Sequence, residues 1–129
     1  LTTNQSVPSI LLDAPCSALV TFRRNPDVAS KINQSKLKRN QKIQIQMLDK
    51  AINILDENGI IVYIVCSFHP FETINVIDKI TQKHKNIRTL NLQSDKMIKR
   101  QNGYFINPLQ FKDLGGSDIF FVSVLEKTK

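Results

Sequence analysis

Ile60 to Cys66 (Ile-Ile-Val-Tyr-Ile-Val-Cys) is the stretch that leaves this chain least freedom. Apolar throughout and rich in β-branched side chains, it reads as a strand covered on both faces, as in parallel sheets. Reaching a parallel neighbour takes a crossover of a dozen or more residues, usually a helix. Upstream, from about Ser35, the residues Ile45, Leu48, Ala51, Ile52 and Leu55 fall on one helix face. Asn58-Gly59 reads as the C-terminal cap of that helix. Downstream, Pro70 suits the first turn of a second helix with Ile74, Ile77 and Ile80 inward, fraying near His84 to Asn86.

The rest of the chain supplies further strands. Ser9 to Asp13 reads as a short buried strand stopped by Pro15. Ile87 to Leu92 is a weaker candidate, and Ile119 to Leu125 a stronger one that closes the chain. Gln93 to Asp118 lacks clear periodicity, and a loop that long in a compact domain is usually functional or ordered by a ligand. Strands alternating with helices in this order make an α/β fold with right-handed crossovers.

Size and composition fit one domain with a real core: 129 residues, of which 41% are hydrophobic and 22% charged. The longest apolar run is far too short to span a bilayer, and no apolar signal segment opens the chain, so no membrane is expected. Two cysteines make a poor disulfide framework, which points to a reducing cytoplasm. With two Cys and two His at unrelated spacings, no metal site is expected. A net charge of +7 suits a polyanionic partner such as a nucleic acid, and equally suits lysines that only solvate a surface. Lys36, Lys38, Arg39 and Lys42 crowd the start of the first helix, where the helix dipole disfavours cations and an external anion would compensate.

The two cysteines, Cys16 and Cys66, each follow an apolar strand and each precede serine. In an open α/β sheet, ligands bind just beyond the carboxyl ends of parallel strands. One strand–helix–strand unit therefore delivers both cysteines to the same sheet edge. A free cysteine at such a position is often just a small buried hydrophobe. His69 reads as a residue that stabilises the turn rather than as a base for Cys66, and Tyr104 and Phe105 as core residues rather than stacking platforms.

Asp13-Ala14-Pro15-Cys16-Ser17, then Arg23-Arg24-Asn25-Pro26-Asp27, then Cys66-Ser67 with Pro70 and Glu72, resemble the RNA cytosine-C5 methyltransferases, above all their Sun/Fmu group. The closing Gly116-Ser117-Asp118-Ile119-Phe120-Phe121 is similar to that family's terminal strand, so the resemblance runs from Ile10 to about Lys127. It implies a class I (Rossmann-like) fold using S-adenosyl-L-methionine, with a mostly parallel sheet and an antiparallel terminal strand.

The chemistry that the resemblance implies is covalent. Carbon 5 of cytosine is a poor nucleophile until a thiolate adds to carbon 6 and turns the ring into an enamine. By resemblance Cys66 is that nucleophile, and Cys16 assists release of the methylated base. Asp13 would contact the cofactor or the cytosine edge, and Pro15 would shape the base pocket through an exposed carbonyl. Arg23 and Arg24 would reach phosphates beside the base. The substrate would be ribosomal RNA presenting an unstacked cytosine in a loop or single strand.

The chain departs from the family pattern in several places. Ala18-Leu19-Val20 stand where small residues and glycine are expected, Val65 replaces a threonine, and Phe71 and Thr73 alter the Pro-Glu-Glu-Asn segment. No glycine-rich cofactor loop occurs in a chain with four glycines. Residues 1–129 therefore look like the C-terminal half of a catalytic domain, completed by a chain that supplies the N-terminal half or else self-associating. The competing reading is a non-catalytic RNA-binding remnant. A thiol-redox protein would want a Cys-x-x-Cys spacing that is absent here.

Overall fold

The computed structural model describes residues 5–16, 34–106 and 120–129. Their order is β1 (Val7–Asp13), α1 (Gln34–Ile54), β2 (Leu55–Val65), a 3-10 turn (Pro70–Glu72) and α2 (Ile74–Lys83). Four strands follow: β3 (Ile87–Thr89), β4 (Met97–Arg100), β5 (Gly103–Ile106) and β6 (Phe121–Lys127). β1 pairs in parallel with β2, and the terminal strand β6 runs antiparallel to β2, with Tyr63 opposite Ser123. On its other edge β6 takes β3 at one end and β5 at the other, both antiparallel, and β4 extends the sheet beyond β5. The result is an α/β fold on a mixed sheet. No helix among the described residues is long and apolar enough to cross a membrane.

The core lies between the sheet and the two helices. Leu48, Ala51 and Ile52 of α1 join Val76, Ile77 and Ile80 of α2 over Ile61, Tyr63 and Val65 of β2 and Phe121 and Leu125 of β6. Across the exposed end of the helix pair, Asp49 of α1 accepts from Lys83 at 2.6 Å and lies 2.8 Å from the His84 ring. Burial alone would raise the Asp49 carboxyl. The hydrogen bonds and charges of Lys83 and His84 together outweigh it and hold the pKa below the usual value.

Several expectations need correction. The first helix stops at Ile54, and Asn58-Gly59 is not its cap but sits inside β2. Between Val7↔Leu55 and Ser9↔Ile60, β1 advances two residues while β2 advances five, so Asp56 to Gly59 bulge out of the ladder. Asn58 takes φ 64°, a left-handed conformation that asparagine tolerates. A side chain at Gly59 would meet Leu55 at 2.7 Å and the Asp56 carbonyl at 2.8 Å.

Burial is also less symmetrical than the apolar run suggests. Ile61, Tyr63 and Val65 are fully buried, whereas Ile60, Val62 and Ile64 on the opposite face are only partly covered by the described residues. β1, expected to be buried, exposes Leu11 to 70% and buries no residue fully, because only β2 pairs with it among the described residues. Pro70 opens a separate 3-10 turn rather than α2, whose inward residues include Val76 as well as Ile77 and Ile80.

The segment from Gln93 to Asp118 is not simply a loop, for it contains the hairpin β4–β5. Arg100 pairs with Gly103, leaving Gln101-Asn102 as the connection. Asn102 Nδ2 donates to the Ile74 carbonyl at 2.9 Å and to Asp78 Oδ1 at 2.7 Å, which ties the hairpin to the start of α2. Gly103 lies against the Phe121 ring and the Val122 carbonyl, leaving no room for a side chain. Tyr104 is buried, and its hydroxyl accepts from the Leu92 amide at 2.7 Å, so it serves the core as expected.

Candidate active site

The parallel pairing of β1 and β2 decides where the cysteines go. Asp13 stands opposite Ile64, and the Ala14 amide extends the ladder by donating to the Ile64 carbonyl at 3.0 Å. Both chains then leave the sheet at the same edge. Cys16 Sγ donates to the Cys66 carbonyl at 3.3 Å, across fifty residues of sequence. Both thiols are reduced and partly exposed. The matched strand ends in the sequence thus become one site with two thiols.

The turn after Cys66 is held by its own polar groups. Ser67 is buried, and its hydroxyl accepts from the His69 amide at 3.1 Å. His69 Nδ1 accepts from the Phe71 amide at 3.2 Å, and its ring meets Phe71 edge-on at 5.1 Å. That bond makes His69 the cap of the 3-10 turn, in line with a turn-stabilising role. Tyr63 is buried beneath, and its hydroxyl donates to the Glu72 carbonyl at 2.9 Å. Burial first, then the nearby charges of Glu72 and Cys16, raise the Tyr63 phenol far above its ordinary range, so it stays a neutral donor.

Helix α1 clamps both cysteine loops with three amide side chains, none of which the sequence reading singled out. Gln44 Nε2 donates to the Pro15 carbonyl at 2.8 Å, fixing the loop that carries Cys16. Gln41 Nε2 donates to the Phe71 carbonyl at 2.8 Å, and Asn40 Nδ2 to Glu72 Oε1 at 3.1 Å, fixing the loop after Cys66. Glu72 is itself fully buried. A signal was present: Gln44 interrupts the inward stripe formed by Leu37, Leu48 and Ala51, and a polar side chain there must find a partner. Gln44→Ala should remove both packing and the Pro15 bond, lowering stability by about 2 kcal/mol. The urea midpoint of the full-length protein measures this, and an unchanged midpoint would refute it.

The other expected site residues fall out as follows. Asp13 is exposed at the carboxyl end of β1, beside the site. The Pro15 carbonyl, expected to face a base pocket, gives one lone pair to Gln44. Arg23 and Arg24 lie outside the described residues. Among the described residues Asp13 is the one carboxylate exposed at the end of β1. A single carboxylate does not enclose a nucleoside cofactor, so the described residues fit one side of such a group.

Comparison with known proteins follows the same lines. The profile of a family described as 16S rRNA methyltransferase RsmB/F matches residues 1–126. The ribosomal RNA small subunit methyltransferase B of Photorhabdus laumondii is 31% identical over 124 residues, covering 96% of this chain and 27% of that protein. The protein of the same name in Thermus thermophilus is 29% identical over 119 residues, covering 92% of this chain and 29% of its own length. The chain thus spans less than a third of these relatives. A crystal structure of NSun6 from Pyrococcus horikoshii with SFG superposes with a TM-score of 0.76 at 20% identity, covering 98% of this chain and 32% of that one. At that identity it speaks for the fold.

Proposed function

Because the chain belongs to the 16S rRNA methyltransferase RsmB/F family, we propose that it forms the cysteine-bearing half of a ribosomal RNA cytosine-C5 methyltransferase domain. The observation that carries this reading is the contact of Cys16 Sγ with the Cys66 carbonyl. Covalent methylation of a cytosine ring requires one nucleophile at carbon 6, the role read here for Cys66, and a second thiol beside it is placed to assist the later release.

In this mechanism the Cys66 thiolate adds to cytosine carbon 6, and the displaced π electrons make carbon 5 nucleophilic. S-adenosyl-L-methionine, when bound, would supply the methyl group as an electrophile, its sulfonium leaving as the neutral thioether. Once carbon 5 carries the methyl, its proton leaves to a base, the double bond re-forms, and the Cys66 thiolate is expelled. Cys16, next to Cys66, assists that last step. The amides of Asn40, Gln41 and Gln44 keep both cysteine loops in register, a task in which small displacements cost rate. Asp13 at the end of β1 would contact the cofactor or the cytosine edge, and the remaining cofactor contacts would come from an N-terminal half. Arg23 and Arg24 would hold phosphates of the substrate.

The test uses the full-length protein with small-subunit RNA and the cofactor carrying an isotopically labelled methyl. Digestion to nucleosides should place the label in 5-methylcytidine. Label on a ribose, on another base, or nowhere would overturn the reading.

A further inference from the structure

Lysines from two helices meet outside the cysteine site. Lys38 and Lys42 of α1, and Lys79 and Lys83 of α2, line one groove of about 420 Å³ together with Gln41 and Asp49. All four lysines are exposed. Each helix contributes its pair at a spacing of four residues, which puts like charges on neighbouring turns of the same face, an arrangement that disfavours the helix in isolation. The first turn of α1 holds no acidic residue to compensate. Asp49 is the one acidic residue lining the groove, and it is already engaged by Lys83 and His84. Lys38, Lys42 and Lys79 therefore face solvent without an acidic partner in the groove. Such a surface is stabilised by a ligand that brings its own negative charges at several points.

The groove connects to the cysteine site through one side chain. Lys79 Nζ donates to Gln41 Oε1 at 3.1 Å, while Gln41 Nε2 donates to the Phe71 carbonyl in the turn after Cys66. A polymer with one unit at the cysteines can thus continue into the groove. We propose that the cleft between α1 and α2 is a track for the phosphate backbone of the RNA strand flanking the target base. Lys38, Lys42 and Lys79 supply the phosphate contacts, and Lys83 stays with Asp49. This rests on the reading of the chain as part of an RNA methyltransferase and extends the substrate's footprint beyond the cysteine edge. Phosphate contacts of this kind position the strand without reading its sequence.

The experiment measures affinity of the full-length enzyme for a fluorescein-labelled single-stranded RNA across a range of salt, with methyl transfer assayed in parallel. Each lysine–phosphate contact contributes about 0.7 to the slope of log affinity against log salt for a single strand. The triple variant Lys38→Gln, Lys42→Gln, Lys79→Gln should therefore flatten the slope by about 2 and raise KM for RNA, while the triple Lys→Arg variant restores both. These side chains are exposed, so circular dichroism should show an unaltered fold. A slope and KM unchanged by the Gln substitutions, in an enzyme that methylates RNA, would overturn the track and leave the methyltransferase reading intact. It would also turn attention to an acidic protein surface as the ligand of the groove. A flattened slope in a protein that transfers no methyl would support the track and count against the methyltransferase reading. No RNA binding by the unaltered protein would overturn both.

Discussion

Cys16→Ala in the full-length enzyme is expected to leave the protein covalently attached to its RNA, whereas Cys66→Ala leaves no attachment. If Cys66 adds to carbon 6, the methylated adduct can resolve only when the proton on carbon 5 departs and the thiolate is expelled. Removing the residue that assists this step stalls the reaction after methyl transfer. Removing the nucleophile prevents the adduct from forming, and turnover should fall by roughly 10⁴-fold or more, as for other covalent enzymes. Both thiols are partly exposed, Cys16 packs only against the margin of the core, and its contact with the Cys66 carbonyl is a weak sulfur hydrogen bond. Both variants should therefore fold. Denaturing gel electrophoresis with labelled RNA reads the result. An adduct with Cys66→Ala and none with Cys16→Ala would exchange the two roles.

The second large effect concerns residues 1–129 taken alone. By themselves they are expected to associate with one another and to bind S-adenosyl-L-methionine too weakly for calorimetry to detect. Among the described residues, β1 pairs only with β2, and its other edge shows unpaired backbone with Leu11 70% exposed. Beside it, Ile10, Leu12, Met47, Ala51 and Ile54 line an apolar groove of about 570 Å³. Open apolar edges recruit other chains, and burying one exposed leucine contributes about 1.5–3 kcal/mol. On the proposed reading, an N-terminal half would cover that edge and groove and bring the cofactor loop. Sedimentation velocity should show association that rises with concentration and weakens in Leu11→Lys, which places a charge on the edge. A monomer that binds the cofactor at micromolar concentration would sink this expectation.

The sequence determined most of what depends on local pattern. Its three- and four-residue spacings produce α1 and α2, and its β-branched runs produce β2 and β6. Cys16 and Cys66 were legible as a pair because chain direction and parallel pairing suffice to bring two strand ends to one edge. Tertiary structure decided the rest, because it turned on neighbours distant in sequence. The Asn58-Gly59 pair suits a helix cap and a bulge equally, and the register against β1 chose the bulge. β4 and β5 are too short to announce themselves, and they exist as strands through the close approach of Gly103 to Phe121 and the docking of Asn102 on α2. The coverage of β1 and of the Ile60, Val62 and Ile64 face could not be read from hydrophobicity, which states what a strand can bury but not what lies against it. The amide clamp is the clearest case. Gln44 meets Pro15, and Asn40 meets Glu72, only because the chain returns over the sheet, and no spacing rule reaches across 29 or 32 residues.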